Sequence, residues 1–252
     1  MDSLYKYFDD FTLKARVMPG LTILFPLIPY SFTKGILNSN ILENSILNVI
    51  IFTIFSAILA FASRNQGKIK EKKLFKEWGA MPTTIIMRFS DDTLNYNSKV
   101  RYHKILNDKL PDLQIPLSKE EEDNIIDADE KYKSAIDWLR LNANSNHEKF
   151  PLVYAELKNY NFARNLYGLK NIGLIIYTLI GIRECLVINN FNIVNLILIP
   201  YPQYISLIIM VVGALIVLFI SRKKIVRQRA NDYAKALIET CNKLEIHIEE
   251  NN

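Results

Sequence analysis

The chain has 252 residues, of which 50% are hydrophobic and 23% are charged, and its formal net charge is +5. A chain this apolar, with its hydrophobic residues gathered into long separate blocks, is not typical of an ordinary soluble domain. Its basic residues lie beside those blocks, where membrane topology explains them better than nucleic acid does, so direct nucleic-acid binding is not expected.

Four apolar stretches are arranged as two pairs around a charged middle segment. They run from Val17 to Phe32, Ile46 to Ala62, Ile172 to Ile188 and Ile205 to Ile220. A bilayer core about 30 Å thick is crossed by about 20 mostly apolar helical residues. The pattern predicts a mainly α integral membrane protein whose four transmembrane helices form two hairpins in the lipid bilayer.

Basic residues concentrate at one end of each predicted span. Cytoplasmic loops of membrane proteins carry an excess of Lys and Arg. Both termini and the middle segment are therefore predicted to be cytoplasmic. The basic residues that carry this prediction are Lys14, Arg16, Arg64, Lys68, Lys70, Lys72, Lys73, Arg164, Lys170, Arg222, Lys223, Lys224, Arg227 and Arg229.

The spans divide the chain into five predicted segments. The cytosolic insert is expected to be mostly helical, with an α+β arrangement left open because Ile85–Phe89 fits either a strand or a buried helix start. The segments are an interfacial helix (1–16), a first hairpin (17–63), the cytosolic domain (64–170), a second hairpin (171–220) and a C-terminal cytosolic helix (221–252).

Two features of the spans mark a candidate membrane pathway. Pro19, Pro26 and Pro29 fall within the first span, which is either broken along a pathway or packed closely against the other spans; packing is favoured. Arg183 and Glu184, near the outer end of the third span, could pair, reach the surface or face a wet centre. Reaching the surface is favoured. The candidate pathway residues are Pro26, Pro29, Arg183 and Glu184.

The segment from Trp78 to Thr84 is the most distinctive local feature of the insert. Gly79 and Pro82 predict a fixed turn, after which the hydroxyls of Thr83 and Thr84 could cap the next element or hold a ligand oxygen. Arg88 follows inside an apolar run, where its charge requires a partner. Asp91 and Asp92 are the nearest in sequence and are the expected partners.

Downstream, an acidic helix is predicted to begin at Ser118, with Glu121 completing a capping box. Its acidic side is interpreted as a solvated face, and no metal is expected because no loop constrains ligand geometry. The sequence also has no Gly-rich phosphate loop, nucleophile elbow or metal-binding histidine pair. No cofactor is expected, and the protein is not expected to be an enzyme.

Two polar-aromatic clusters flank the junctions between the insert and the spans. If Arg88, His103 and Arg164 met, they would form an anion pocket, with Tyr102 or Tyr160 as a stacking face. The alternative, which is favoured, is that these residues attach the insert to the helix ends. The candidate binding residues are Trp78, Thr83, Thr84, Arg88, Asp92, Tyr102, His103, Tyr160, Arg164 and Asn165.

The strings WGAMPTTIIMRFSDDTLN, KVRYHKIL and KFPLVYAELKNYNFARNLYGLK resemble an uncharacterised family of bacterial membrane proteins. In that family, a Trp-Gly-Pro-Thr-Thr element and an Asn–aromatic–Arg–Asn–Leu element bracket a cytosolic insert. The resemblance extends from Arg16 to Lys170 and implies this architecture in a bacterial inner membrane, but no activity. In broad layout the chain is also similar to membrane effectors of bacterial anti-phage systems.

Three functions are open at this point. The first is a homo-oligomeric, channel-like or membrane-perturbing effector whose insert senses a small anionic ligand or a protein. The second is a non-catalytic anchor that docks a cytosolic protein partner, for which the split charge of the insert is suitable. The third is a membrane enzyme acting on a lipid or nucleotide, with His103, Asp91 and Asp92 as acid–base candidates.

Overall fold

The computed structural model describes residues 9–28, 30, 41–122, 124–145, 148–189 and 201–244. Across these residues the protein is mainly α, and no strand occurs in them. The predicted α class is therefore confirmed. A strand at Ile85–Phe89 is wrong, because helix α4 covers this segment as far as Met87.

Nine helices are numbered here in chain order. Helix α1 leads into α2 through a π-helical segment, Leu13–Val17, and α4 is a single short helix between much longer ones. The helices are α1 (Asp10–Thr12), α2 (Met18–Leu24), α3 (Ile41–Trp78), α4 (Pro82–Met87), α5 (Tyr96–Lys109), α6 (Ile125–Ser145), α7 (Pro151–Asn189), α8 (Tyr201–Ile220) and α9 (Lys223–Ile238).

Local sequence explains where the helices of the insert begin. Gly79 has a φ of 91°, which favours glycine, and Pro82 opens α4 at the first helical position. Asn95 caps α5 by accepting the Ser98 N–H at 2.8 Å. The predicted start of the acidic helix at Ser118 is wrong. Helix α6 begins at Ile125, since Asn124 accepts N–H bonds from its first turn.

The chain divides into two compact units. Unit 1 comprises Met1–Glu71 and Asn161–Ile225, and unit 2 comprises Lys72–Tyr160 and Val226–Asn252. From Val226 onward, helix α9 therefore belongs to the same unit as most of the predicted insert. Within unit 2, Val226, Tyr233 and Leu237 of α9 are buried.

By length and composition, the described residues contain one helix that could cross a membrane, or two if one bent pair of helices is counted as a single span. Pro151–Leu186 is long and apolar enough to cross a bilayer, with a mean hydropathy of 1.2 in its best window. A second candidate is the pair Tyr204–Ile220 and Lys223–Leu244, bent by 42°. Core helices of soluble proteins meet the same criteria, so the four-span arrangement stays a prediction.

Unit 1 has an apolar core built from helices α2, α3, α7 and α8. Its buried members include Ile23, Leu59, Leu166, Tyr177 and Val217. This core brings the first apolar stretch against all three longer helices, which is the packing that the sequence favoured.

The prolines of the first stretch are packed inside unit 1. Pro19 and Pro26 are buried, and a Cβ added at Gly213 of α8 would lie 2.7 Å from the Pro26 Cβ atom. Because glycine has no Cβ atom, position 213 leaves room for the Pro26 ring. Pro29 lies outside the described residues.

Side chains from other helices bond backbone carbonyls of this proline-containing stretch. Ser63 Oγ donates to the Arg16 carbonyl at 3.1 Å, and Asn165 Nδ2 donates to the Ala15 carbonyl at 2.6 Å. The Tyr177 hydroxyl donates to the Ile23 carbonyl just before the helix is interrupted at residues 25–26. Of these three bonds, the one from Asn165 supplies the Ala15 carbonyl with the donor that Pro19, four residues on, lacks.

Candidate functional site

Arg88 lies at the centre of a charged cluster in unit 2. Its guanidinium makes a two-pronged contact with Asp129 of α6, with Nε–Oδ1 at 2.8 Å and Nη2–Oδ2 at 2.6 Å. The prediction that Asp91 or Asp92 would pair with Arg88 is wrong. Asp129 is 41 residues away in sequence, and α6 reaches Arg88 because α4 packs against α6. The pKa of Arg88 is raised, mainly by this hydrogen bond.

The backbone after Arg88 is held by two further charged side chains. The Glu122 carboxylate accepts the Phe89 N–H at 3.1 Å and the Tyr132 hydroxyl at 2.8 Å. Lys99, only 2% exposed, donates its Nζ to the Arg88 carbonyl at 2.5 Å and also to the Asp91 carbonyl. Burial lowers the pKa of Lys99. Charged side chains from three parts of unit 2 therefore fix this turn.

His103 is buried beside this turn and supports a neighbouring loop. Its Nδ1 is 2.7 Å from the Pro116 carbonyl, and its ring meets Phe89 edge-on at 5.1 Å. Burial lowers the pKa of His103 to about 4, outweighing the Pro116 and Met87 carbonyls, which favour the protonated ring. His103 is therefore neutral at pH 7. Because a carbonyl only accepts, Nδ1 carries the proton.

Thr83 and Thr84 do not cap α4. Both are buried, and neither Oγ1 atom has a hydrogen-bond partner in the part of the chain that the structure describes. The residue at the N-cap of α4 is Met81, which makes no side-chain cap hydrogen bond.

The aromatic candidates join the insert to the C-terminal part of unit 2. The Tyr102 hydroxyl accepts Asn242 Nδ2 at 2.9 Å, and the Tyr160 ring is parallel to that of Tyr233, 6.1 Å between centroids. The Arg227 guanidinium lies 5.7 Å from the Trp78 ring centroid. These contacts all lie within unit 2, so attachment of the insert to the ends of the spans stays a prediction.

Arg164 and Asn165 belong to unit 1, whereas Arg88 and His103 belong to unit 2. Arg164 Nη1 contacts Glu71 Oε1 at 3.2 Å, and its Nε contacts Asn165 Oδ1 at 3.1 Å. Each arginine thus has an acceptor inside its own unit, and the predicted anion pocket stays a prediction. Asp92 is exposed.

The second candidate site is a buried carboxylate in unit 1. Glu184 is 0% exposed, and its Oε1 accepts the Tyr30 hydroxyl at 2.6 Å and Arg183 Nη1 at 2.7 Å. The Arg183 side chain is 64% exposed, so only Arg183 is directed outward. Arg183 and Glu184 do pair, as one of the three interpretations of the sequence proposed.

Several residues of these sites were missed by the sequence reasoning. Tyr30, Lys99, Glu122, Asp129 and Tyr132 all take part. Lys99 and Glu122 each have polar neighbours along the chain, so neither residue stands out in the sequence. Asp129 lies on the acidic side of the predicted helix, which is interpreted above as a solvated face, although an acid beside the apolar positions of a helix could also be a partner for Arg88.

The site residues form no cluster of three or more His, Cys, Asp or Glu side chains able to hold a metal ion, as far as the described residues extend. No protein-family model, curated protein or solved structure matches the chain. The resemblance to a bacterial membrane protein family therefore stays a prediction.

Proposed function

We propose that this protein is a four-span inner-membrane effector of bacteria, with a cytosolic sensing unit and spans that assemble with other copies to alter membrane permeability. Unit 1 corresponds to the apolar stretches and unit 2 to most of the cytosolic insert together with the C-terminal helix. The trigger would be a small anionic ligand or a protein, in keeping with a role in anti-phage defence.

Support for membrane embedding comes from large apolar side chains exposed along three helices of unit 1. A water-soluble protein rarely exposes contiguous apolar patches of more than a few hundred Å². The exposed side chains include Val49, Ile54, Phe55, Ile58 and Phe61 on α3, Ile175, Leu179 and Ile182 on α7, and Ile208, Val211, Leu215 and Phe219 on α8.

The observation that carries the effector function is the buried Glu184 carboxylate. An ionisable group within an apolar helical unit is costly to bury, and in membrane proteins such groups mark pathways and gates. A simple anchor has no need of one. Glu184 binds Tyr30, which follows the interrupted first helix, so this bond ties the interrupted stretch to α7.

The proposal is tested first by membrane integration. The chain should resist extraction by alkaline carbonate, and protease added from the periplasmic side should leave residues 64–170 intact. Release by carbonate, or digestion of that segment, would contradict the proposed topology.

The effector function is tested by dye release from vesicles containing the purified chain, and by growth on overexpression. Glu184→Gln removes the charge but keeps the shape, and it should change dye release severalfold. Glu130→Gln, at an exposed position of α6, is the matched control and should leave release unchanged. Vesicles that stay sealed at high protein density with infected-cell extract present would contradict the proposal.

The alternative is a non-catalytic anchor, and one observation favours it. The candidate residues Arg88 and Tyr102 are bonded inside unit 2, to Asp129 and to Asn242, so a partner would meet the outer surface of the unit. Pull-down in mild detergent separates the two functions. A stable partner protein supports the anchor, and self-assembly alone supports the effector.

A further inference from the structure

Unit 1 carries a basic rim at one end, defined here as Lys14, Arg64, Lys68, Arg222, Lys223 and Lys224, all of which are exposed. They belong to three parts of the chain: the π-helical segment, α3, and the α8–α9 junction. None of these six residues belongs to the candidate sites described above.

Contacts inside unit 1 place these parts at the same end. The Ser63 hydroxyl bonds the Arg16 carbonyl, which brings the start of the chain beside Arg64. Val217, one turn before the end of α8, shares a buried core cluster with Leu59 and Leu166. Arg222 therefore lies at the end of the unit where Arg64 lies.

The charge at this end is predominantly positive. Glu71 is occupied by Arg164 at 3.2 Å. Asp9 and Asp10 are the other described acids near the rim, in the residues just before the π-helical segment. At the opposite end of α7, Arg183 is offset by Glu184. Among the described residues of unit 1, excess positive charge thus lies at one end only.

Exposed apolar side chains adjoin the rim directly. Phe61 is 77% exposed and Phe219 63%, and the Arg222 guanidinium lies 3.7 Å from the Phe219 ring centroid. The surface thus offers cations for phosphate and, within a few residues, apolar contacts for hydrocarbon. An anionic phospholipid carries both groups in one molecule, whereas a nucleic acid would leave the apolar side chains exposed.

We infer that the basic rim of unit 1 binds the headgroups of anionic phospholipids in the cytoplasmic leaflet, with their acyl chains against the adjoining apolar side chains. This inference rests on the membrane embedding of the proposed function and adds a lipid requirement to it. Binding is expected to weaken with salt, because exposed charges are screened.

The test compares the full chain in nanodiscs of phosphatidylcholine alone and of phosphatidylcholine mixed with phosphatidylglycerol. Phosphatidylglycerol should raise the thermal unfolding midpoint of the wild type. The triple variant Arg64→Gln/Arg222→Gln/Lys224→Gln should lose that rise. Lys104→Gln/Lys109→Gln/Lys133→Gln removes the same charge from exposed positions of unit 2 and should keep it. Glycerol phosphate added to phosphatidylcholine discs should have no effect.

Equal midpoints in the two kinds of disc would overturn the inference, and so would equal loss of the rise in both triple variants. In either case, carbonate resistance would leave the proposed membrane embedding intact. A chain that fails to enter nanodiscs and is released by carbonate would overturn both. As a second measurement, native mass spectrometry should show phosphatidylglycerol retained by the wild type and lost from the rim variant.

Discussion

The side-chain amide of Asn165 on α7 donates a hydrogen bond of 2.6 Å to the backbone carbonyl of Ala15, 150 residues earlier. In an α-helix the N–H of residue 19 would bond this carbonyl, but residue 19 is proline and has none. Both residues are buried, with exposures of 1%. A side chain from another helix thus supplies the donor that the sequence of the first helix removes.

Asn165→Ala should therefore destabilise the protein by about 1–3 kcal/mol, the cost of leaving a buried carbonyl unbonded. Asn171→Ala, at an exposed position of the same helix, should cost less than about 0.5 kcal/mol. Thermal unfolding in detergent measures both. Equal effects of the two variants would show that the Ala15 carbonyl does not depend on Asn165.

Two glycines of α7 should respond to alanine with opposite signs. A Cβ at Gly168 would lie 2.8 Å from the Gly67 Cα atom, so Gly168→Ala should push α3 and α7 apart and cost about 1–3 kcal/mol or more. A Cβ at Gly181 meets nothing within 4 Å, and Gly181→Ala should raise stability by up to about 1 kcal/mol. Unfolding in detergent is the measurement. A tolerated alanine at position 168 would contradict the close helix crossing.

The Arg88–Asp129 pair is predicted to contribute through its burial. Its side chains are 19% and 14% exposed, so Arg88→Met should cost an amount near the lower end of the about 3–5 kcal/mol typical of breaking a buried pair. The more exposed pair Lys131–Asp127, with side chains 29% and 56% exposed, provides the control, and Lys131→Met should cost about 0–1 kcal/mol. Denaturant unfolding measures the free energies.

A double-mutant cycle isolates the Arg88–Asp129 interaction. Arg88→Met combined with Asp129→Leu should be less destabilising than the sum of the single variants. Each single variant leaves one unpaired buried charge, whereas the double variant leaves none. Additive costs would mean that the two side chains do not interact.

His103 should make stability depend on pH. Its pKa is about 4 in the folded protein and 6.5 when unperturbed, so between these values the unfolded chain binds more protons. Stability should fall as pH drops from 6.5 to 4, by up to about 3 kcal/mol. Below pH 4 the His103 ring is protonated in both states, and this loss of stability should not increase further. His103→Asn, which keeps a donor near the Nδ1 position, should remove the difference. Stability profiles of wild type and variant that stay parallel over this range would contradict the assignment.

Substitution of Thr84 tests whether its hydroxyl, at the start of α4, binds a ligand oxygen. Its buried Oγ1 has no partner among the described residues, so Thr84→Val should leave stability unchanged or raise it, by up to about 1–3 kcal/mol. Thr84→Ser keeps the hydroxyl and loses a methyl group, which should cost about 1 kcal/mol. If valine is instead the more destabilising change, the hydroxyl has a bound partner, as the sequence first suggested.

Local features of the fold were predictable from sequence because near neighbours determine them. The Gly79–Pro82 turn, the helix containing Tyr102 and His103, and the helix that runs from the second apolar stretch out to Trp78 all follow from residues a few positions apart. Helical periodicity and turn chemistry act over this range.

The long-range pairings were not predictable. Arg88 bonds Asp129 across 41 residues, and Tyr30 bonds Glu184 across 154. A polar side chain near an apolar run signals that it needs a partner, but several acids of similar spacing can serve, and the packing of helices decides among them.

The sequence by itself determined the helical class, the alternation of apolar and charged segments, and the requirement that Arg88 and the carbonyls near Pro19 and Pro26 find partners. Only the tertiary structure decided which side chains meet those requirements and that α9 belongs with the insert in unit 2. The physical reason is range: backbone conformation and hydrophobic period are set by neighbours along the chain. Pairing between buried polar side chains depends on which helices pack together. Helix packing in turn depends on all the helices of the chain together.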